Sequence, residues 1–485
     1  MILIRSVKVV DGTGKPAYTA DVLVDSDKIS AIGYFPNKTA DLIIDGMGFY
    51  LMPGFIDVHT DSDHSLALFT NSGQKEFLLQ GITTVVGGNC GSSLAPLLYG
   101  TLESIQKWAD TTQINVNWNT VADFFKVLAK RKMGVNFSTL IGHSTVRRGI
   151  LGEELRDLTD KEMAVFKKAL EEALKEGGLG FSTGLSYAHS KGTPYNEIKT
   201  LVEVVKKYDG VYATHLRNEK EGLVDSVKET IRLAEETSVK TIISHLRPLM
   251  ENENNFQEAI GLINKTKADL SFDVYPFDVS LTPIYTLLPQ WVQAGGLSFM
   301  LSQLLDESVY GRIVKDLPSL KRDDLIIASA PGNEFLVGKT IGDIAKNQGV
   351  IIPEALLRIM ITTRLKSLVF YKNLNQNLVN DLLVHPKSLI TSNTIRLVAK
   401  AFFRFLELAT AKMSVEEAIK KITSSPATKY NIKNRGVIKE GMAADLVLMR
   451  NPNQPSAEMV MVNGRLAVKG GEYQNILAGE IIKRE

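Results

Sequence analysis

The stretch "GFIDVHTDSDHS", at residues 54–65, places a histidine and several carboxylates directly after a short apolar run. His59 and Asp61 are two residues apart, so on an extended strand their side chains point to the same side. Imidazole and carboxylate groups at a strand end are typical metal ligands, although such sites more often carry a second histidine where Asp61 stands. The stretch therefore indicates a metal site in which one ligand has been changed.

Three further residues that can bind a metal end or follow predicted strands. His215 ends "VYATH", His245 ends "TIISH", and Cys90 lies in "GGNCGSS" just after "ITTVV". Taken singly, each has an ordinary alternative as a packed or hydrogen-bonded residue. Together with His59 they give one thiol and three imidazoles, in a chain with only 7 histidines. Thiolate and imidazole suit Zn²⁺, and three protein ligands leave a position for water, so the sequence predicts a zinc site.

The runs that carry these residues belong to a series of short β-rich segments that alternate with predicted helices. Two of the helices open with capping boxes, Thr159 with Glu162 and Ser414 with Glu417. Eight alternating units predict an α/β fold, a (β/α)₈ barrel of the TIM type, with its active site at the carboxyl ends of the strands. The eight runs are 55–59, 82–86, 136–141, 179–183, 211–215, 241–245, 271–275 and 389–393.

The rest of the chain divides into an insertion and two termini. The interval between the seventh and eighth runs is too long for one crossover, and it predicts an inserted helical subdomain at about 283–388. Strand patterns at both ends, with an Asn463-Gly464 hairpin turn, predict a small β-sandwich domain built from both termini. The expected boundaries are 1–53 and 431–485 for the two parts of this domain, and 54–430 for the barrel.

Composition excludes several classes of protein. The 485 residues are 44% hydrophobic and 23% charged, and Lys+Arg 56 against Asp+Glu 54 leaves a net charge of +2. This balance predicts no nucleic-acid or membrane partner. Arg5 interrupts the first apolar run, no stretch approaches the length of a membrane span, and the single cysteine, Cys90, excludes an intrachain disulfide. We expect a cytoplasmic protein.

The motifs so far, taken with others along the chain, resemble those of the N-acyl-D-amino-acid deacylases (D-aminoacylases) of the amidohydrolase superfamily. The resemblance runs from "DVLVDSDKISAIG" near the N-terminus to "RGVIKEGMAADLVLM" near the C-terminus. It implies the barrel, the β domain built from both termini, and a zinc site that cleaves amides. The intervening motifs are "MPGFIDVHT", "GITTVVGGNCGSSLAP", "GFSTGLSY", "THLRNE", "SHLRP", "DVYPF" and the inserted "LPQWVQAGG".

The resemblance also implies roles for individual residues. Cys90, His215 and His245 match the tight zinc ligands of the family. Tyr187 matches a tyrosine that contacts the substrate. Arg247 stands where the family places a basic residue, usually lysine, near the substrate carboxylate.

Two further positions bear on the choice between related activities. His143, in "LIGHSTVRRG", follows the third strand, and we expect it to contact the substrate, with a loop-capping role as the alternative. No lysine ends the fourth strand, which reads "STG". A carbamylated lysine that bridges two metal ions is therefore not expected. The Cys90 thiolate is the group that could act as the bridging ligand instead. A dihydroorotase-like or isoaspartyl-dipeptidase-like enzyme becomes the less favoured alternative.

The chain departs from the family pattern in three places. The strand-one pattern His-x-His becomes His59-Thr-Asp61. Strand eight of the family ends in Ser-Asp-Gly, whose aspartate handles the proton of the attacking water, and here Asn393 replaces that aspartate. A loop with His-Pro-Arg, which helps to bind substrate in the family, is missing after this point, and Arg396 is the available substitute.

The change at Asn393 has a direct chemical consequence, because a carboxamide does not accept a proton at neutral pH. Losing a positioned acid-base group typically costs about 10²–10⁴ in rate, or roughly 3–5 kcal/mol of barrier. Asp61 or Asp63 is the alternative source of a carboxylate. Asn393 also offers only a neutral oxygen to a metal, so we expect no second tightly held ion beside His59.

These observations lead to two hypotheses. The first is a zinc-dependent hydrolase of linear amides that removes the acyl group from a small N-acyl amino acid, with reduced activity or a shifted substrate. The second is a catalytically impaired relative that keeps zinc as a structural or binding site. Metal content, measured together with turnover of N-acetyl-D-amino acids, separates them.

Overall fold

Strands from both ends of the chain form one nine-stranded sheet in the computed structural model, which describes residues 1–100, 102–105, 111–187, 189–293, 296–394 and 400–484. With strands numbered in chain order, the sheet order is β21-β20-β19-β18-β5-β1-β2-β3, and β4 pairs with β1. The strands are β1 (Ile2–Val9), β2 (Tyr18–Asp25), β3 (Lys28–Gly33), β4 (Leu42–Asp45), β5 (Tyr50–Pro53), β18 (Leu446–Met449), β19 (Ala457–Val462), β20 (Arg465–Lys469) and β21 (Glu472–Tyr473).

The two halves of this sheet meet at β5 and β18, which pair antiparallel with Leu446 opposite Pro53. Because β5 also pairs with β1, the described strands join in one sheet, and their hydrogen bonds do not divide them into the two sheets of a simple sandwich. The predicted hairpin turn lies between β19 and β20, where Asn463 and Gly464 have φ of 45° and 75°. A Cβ on Gly464 would lie 1.7 Å from the Ser26 carbonyl oxygen, so only glycine fits this turn.

The parallel strands follow in chain order in two sheets, β6-β7-β8 and β17-β13-β12-β11-β10-β9. Only Leu140 separates β8 from β9, so one stretch of chain supplies the third strand position to both sheets. The Asn393 N–H donates to the His59 carbonyl oxygen over 3.0 Å, which ties the end of the eighth position to the first. These strands are β6 (Phe55–Asp57), β7 (Ile82–Gly87), β8 (Asn136–Thr139), β9 (Ile141–Gly142), β10 (Gly180–Gly184), β11 (Val211–His215), β12 (Lys240–Ile243), β13 (Leu270–Val274) and β17 (Ser388–Ile390).

Helices separate most of the parallel strands, and both predicted capping boxes are present, at Thr159 with Glu162 and at Ser414 with Glu417. Each box satisfies backbone N–H groups that a helix start otherwise leaves unbonded. The helices outside the insertion are Ala67–Thr70, Lys75–Leu78, Val121–Arg131, His143–Leu151, Asp160–Lys175, Tyr195–Lys207, Leu223–Thr237, Glu253–Lys265, Gln376–Val384, Ala401–Ala409, Val415–Ile422 and Ser424–Lys429.

Two buried clusters flank the parallel strands. Neighbouring strand residues alternate between them, as the two-residue period of a strand requires, and Val211 and Tyr212 are one such pair. In the inner cluster Val211 packs with Ile56 and Ile242 from other strands and with Tyr430. The outer cluster packs the strands against the helices. This layering holds the strand ends rigidly and therefore fixes the side chains that follow them.

The insertion between the seventh and eighth strands is not purely helical, which corrects the prediction. It contains a three-stranded antiparallel sheet of order β14-β16-β15, formed by β14 (Val279–Pro283), β15 (Leu325–Ser329) and β16 (Leu368–Lys372). The apolar runs "LIIAS" and "LVFYK" are rich in β-branched and aromatic residues, which favour strands. A separate buried cluster fills this unit, whose helices are Gly296–Leu304, Glu307–Asp316, Ile341–Gln348 and Ile352–Thr362.

Among the described residues, no helix combines the length and the apolar character needed to cross a lipid bilayer. The domain boundaries at 53/54 and 430/431 stay a prediction.

Candidate metal-binding site at the carboxyl ends of the parallel strands

Three side chains from different strands meet at the carboxyl end of the parallel sheets. His59 follows β6, Cys90 follows β7 and His245 follows β12. The Cys90 Sγ atom lies 3.5 Å from His59 Nε2 and 3.3 Å from His245 Nε2. The ligand atoms of all three lie within 4.8 Å of one another, and all three residues are buried. One thiol and two imidazoles therefore face a common point.

The backbone at this end of the sheets is unusual. Cys90, His245 and Asn393 have φ of 52°, 35° and 61°, in the left-handed region that residues other than glycine rarely adopt. Such a conformation costs on the order of 1 kcal/mol or more per residue and is retained where the surroundings impose it, often at functional sites. One of the three follows each of the strands β7, β12 and β17.

A buried carboxylate, Asp273 on β13, holds two members of the cluster. Its Oδ2 lies 2.9 Å from His59 Nδ1, and its Oδ1 accepts the backbone N–H of His245 over 2.8 Å. Because Asp273 binds Nδ1, the Nε2 atom of His59 faces Cys90. A carboxylate behind a histidine in this way fixes the ring and its tautomer, as is common around metals.

A second carboxylate, Asp57 at the end of β6, ties strand one to strand eight. It accepts the backbone N–H groups of His59 over 3.2 Å and of Ser392 over 3.2 Å. Burial raises the pKa of Asp57 to about 7, against the opposing effect of these hydrogen bonds. Asp57 therefore holds the backbone of His59 and Ser392 in place, and it is not one of the three residues of the cluster.

His215 lies beside the cluster, with its ring centroid 4.3 Å from that of His245. Its Nε2 is 2.7 Å from Ser186 Oγ and 3.2 Å from Glu219 Oε2, while Nδ1 is buried with no hydrogen-bond partner among the described residues. The compact three-residue group thus contains His59 where the expected zinc ligands included His215. Both His59 and His215 lie at the carboxyl ends of the parallel strands.

The charges in the cluster favour a thiolate. Burial raises the pKa of the Cys90 thiol, but the facing His245 and His59 outweigh burial and hold that pKa well below its usual value. Burial lowers the pKa of His59, while Asp273 and Cys90 raise it well above its usual value. Metal ligands of these types bind in their deprotonated forms, so a divalent cation at this point would take the place of protons.

Arg247 is paired inside the protein. Its guanidinium donates to both carboxylate oxygens of Glu219, with Nε 3.1 Å from Oε1. Burial raises the pKa of Glu219, but Arg247 and His215 hold it well below its usual value. Guanidinium carries five N–H donors, so Arg247 retains donors for a second carboxylate. The expected substrate-binding arginine is therefore oriented by Glu219, a residue that also touches His215.

Tyr187 lies over the same end of the sheets, with its ring centroid 5.0 Å from that of His215. A Cβ on Gly184 would lie 2.3 Å from the Cys90 carbonyl oxygen and 2.6 Å from the Tyr187 ring, so the missing side chain lets both approach. Burial raises the pKa of the Tyr187 phenol well above its usual value, and the Cys90 thiolate adds to the effect. Tyr187 is thus a neutral hydroxyl at the mouth of the cluster.

The strand-one and strand-eight positions that depart from the family pattern do not join the cluster. Asp61 Oδ2 accepts the Thr394 hydroxyl over 2.8 Å. The ring nitrogens of His59 lie against Asp273 and Cys90. Asn393 is partly exposed and its backbone bonds His59. Arg396 lies outside the described residues.

His143 is buried and contacts a carboxylate, and its expected contact with substrate stays a prediction. It begins the helix His143–Leu151 and is fully buried, with Nε2 2.9 Å from Glu197 Oε1. Its ring packs against Phe166 and Phe181 in the layer between strands and helices. Glu197 lies 54 positions further along the chain, and no local pattern predicts this partner.

Sequence reasoning missed two carboxylates that organise the site, the buried Asp273 and the half-buried Glu219. Both lie in stretches that carried the resemblance, "DVYPF" and "THLRNE". An acidic residue in an otherwise apolar strand, as Asp273 is on β13, was the available signal. A buried carboxylate needs a partner, and here the partners are the histidines themselves.

The donor set fits zinc. Cys90 contributes a soft thiolate, and His59 and His245, with His215 beside them, contribute imidazoles. These are the ligand types that zinc prefers. The unbonded, buried Nδ1 of His215 is a further donor without a protein partner among the described residues.

Fold and site together describe an α/β protein with parallel strands and a buried cluster of Cys90, His59 and His245 that could hold a metal ion at the strand ends. The amidohydrolase family matches residues 344–467. The D-aminoacylase of Alcaligenes xylosoxydans xylosoxydans is 34% identical over 279 residues, or 57% of each chain, so that match spans little more than half of the relative. The N-acyl-D-aspartate deacylase of the same organism is 28% identical over 93% of this chain and 86% of its own length.

Solved structures agree with these sequence matches. A crystal structure of a D-aminoacylase superposes with a TM-score of 0.81 and 26% identity, over 100% of this chain and 99% of its own. The Bordetella bronchiseptica N-acyl-D-glutamate deacylase, solved with zinc and a phosphonate inhibitor, shares the fold with a TM-score of 0.81 at 24% identity, over 99% of each chain. In sequence and fold the chain is therefore similar to amidohydrolases, and among them to N-acyl-D-amino-acid deacylases.

Proposed function

We propose that the chain is a zinc-dependent amidohydrolase that removes the acyl group from a small N-acyl-D-amino acid, with its activity lowered by Asn393. The proposal rests on a buried thiolate and histidines gathered at the carboxyl ends of parallel strands. That grouping, in a fold shared with a D-aminoacylase, supports metal-assisted hydrolysis of a linear amide.

In this proposal Cys90 and His245 hold the ion, and His59 and His215 supply the remaining imidazoles. When bound, zinc acidifies a water molecule and polarises the amide carbonyl. The chain's own contribution is to fix these ligands. Asp273 orients His59 and the His245 backbone, and a carboxylate in this place is worth about 10–100-fold in metal affinity or activity.

The substrate is positioned by groups on the same face. Arg247, held by Glu219, offers its remaining donors to the carboxylate of the amino acid. Tyr187, whose hydroxyl stays protonated, contacts the acyl part beside His215. The proton of the attacking water has no efficient acceptor at strand eight, because Asn393 is a carboxamide. The reaction is therefore expected to be slow compared with that of a chain that has aspartate there.

The second candidate is a binding protein that keeps zinc without turnover, and the carboxamide at Asn393 is the observation that favours it. Metal analysis of the purified chain, together with turnover of a panel of N-acetyl-D-amino acids, tests both. One zinc per chain with turnover supports the hydrolase. Zinc without turnover of any amide supports the binding protein, and a chain unable to take up zinc contradicts both.

A further inference from the structure

A cleft rich in lysine lies at the opposite end of the parallel strands from the metal cluster. Lys240 opens β12, Asp269 immediately precedes β13, and Lys387 immediately precedes β17, so all three stand at the amino ends of their strands. The cleft has a volume of about 510 Å³, within the range of small-molecule sites. Lys420 and Lys429 complete its charged lining.

The charges that face this cleft do not balance. Its lining contains four lysines, Lys240, Lys387, Lys420 and Lys429, against one carboxylate, Asp269. The lining also carries the hydroxyl groups of Ser425 and Thr428, which are neutral hydrogen-bond donors. Like charges gathered in this way repel one another unless an anion lies between them.

The lysines are held in place and still have donors to offer. Lys387 Nζ donates to the carbonyl oxygens of Ile263 over 2.6 Å and Thr266 over 3.2 Å. Lys240 Nζ donates to Asn431 over 2.8 Å and to Asp209 over 3.3 Å. An ammonium has three N–H donors, so the bonds within the described residues leave one on each of these two lysines.

The other two lysines of the cleft lining are Lys429 and Lys420. Lys429 is 8% exposed, and its Nζ donates to the Asp269 carbonyl oxygen over 2.8 Å and to the Asp269 carboxylate. Burial lowers the pKa of Lys429, Asp269 opposes the effect, and Lys240 and Lys387 lower the pKa further, as expected where positive charge is in excess. Lys420, at the end of the helix Val415–Ile422, is exposed at the rim.

We propose that this cleft binds a small multivalent oxyanion of the phosphate type, held by Lys240, Lys387, Lys420 and Lys429. Lys240 is paired with Asp209 and Lys429 with Asp269, so among the described residues the charges of Lys387 and Lys420 stay uncompensated. Two such charges suit a ligand with at least two negative charges, and lysine binds phosphate as a point charge. The ammonium groups of Lys240, Lys387 and Lys429 are already held by hydrogen bonds, so they lose little conformational entropy on binding. The site is independent of the proposed hydrolase, because it shares no residue with the metal cluster and lies at the opposite strand ends.

Calorimetric titration of pyrophosphate into the full chain tests the proposal, with sodium chloride holding the ionic strength constant. We expect one saturable site and a rise in the unfolding temperature, because a ligand that binds only the folded state stabilises it. Lys420→Ala, which removes an exposed side chain, and Lys387→Met should each lower the affinity at least about fivefold, since hydrogen bonds to charged groups are among the stronger ones.

Two variants serve as controls. Lys433→Ala removes an exposed lysine outside the cleft lining and should change the affinity less than about twofold. Cys90→Ala should bind pyrophosphate as the parent does, and loss of binding in that variant would place the anion on the metal cluster and overturn the proposal. Equal binding by the Lys420→Ala variant, or equal binding of malonate, would also overturn it.

Discussion

The two walls of the metal cluster differ in how much of the deacylase pattern they keep. The wall from strands two, five and six carries Cys90, His215 and His245, all of the types that the family resemblance implies. The wall from strands one and eight carries His59 with Asp61 and Asn393, where the pattern has a second histidine and an aspartate. On the altered wall, His59 belongs to the three-residue cluster, whereas Asp61 bonds to Thr394.

The difference shows which contacts hold His59 in place although Asp61 and Asn393 depart from the family pattern. His59 is fixed by Asp273 on one side and Cys90 on the other, both of which lie outside strands one and eight. Asp61 accepts a hydrogen bond from the Thr394 hydroxyl, a residue of the strand-eight end. His59 thus keeps its place through Asp273 and Cys90, and not through the strand-eight position that departs from the family pattern.

The largest expected effect is on the intact wall. Cys90→Ala removes the only thiolate, so zinc affinity should fall at least about 100-fold, beyond the range of changes to supporting residues. Competition with a fluorescent zinc chelator measures it. A smaller loss would show that the histidines alone hold the ion, and circular dichroism of the variant serves as the folding control.

The second prediction concerns the hydrogen bond between Asp273 and His59. Asp273→Asn keeps the shape of the side chain but removes the charge behind His59, so zinc affinity should fall by about 10–100-fold. The same chelator competition reports it. If Asp273→Asn matches the parent, His59 does not need this partner and the account of its retention is wrong.

The smallest effect is expected on the altered wall. Asp61→Asn preserves an oxygen that can accept the Thr394 hydroxyl, and Asp61 does not belong to the cluster, so zinc affinity should change less than about threefold. A second equivalent of zinc that binds tightly to the parent and is lost in this variant would show that the altered wall still holds a metal.

The sequence predicted the parts of the site that follow β-rich runs. His59, Cys90 and His245 were found because a run of apolar residues ends and a metal-binding residue type follows. Partners from distant segments were not accessible in this way. Asp273 reaches His59 across 214 positions and Glu197 reaches His143 across 54, and only the folded strands bring them together.

The same reasoning explains the errors in the fold. The insertion was expected to be helical because its length ruled out a single crossover, yet β14, β15 and β16 pair with one another and form a sheet apart from the parallel strands. Local patterns predicted the turn at Asn463 and the helix starts at Thr159 and Ser414, since those depend on neighbouring residues. Long-range pairing depends on the whole chain.

The most direct test of the central claim is to restore the acid on the altered wall. Asn393→Asp should raise kcat/KM for an N-acetyl-D-amino acid by about tenfold or more, the lower part of the range for a general base, while zinc content stays the same. Parent and variant are compared on one substrate panel. An unchanged kcat/KM in a variant that still binds zinc and substrate would contradict the claim that activity is limited at strand eight.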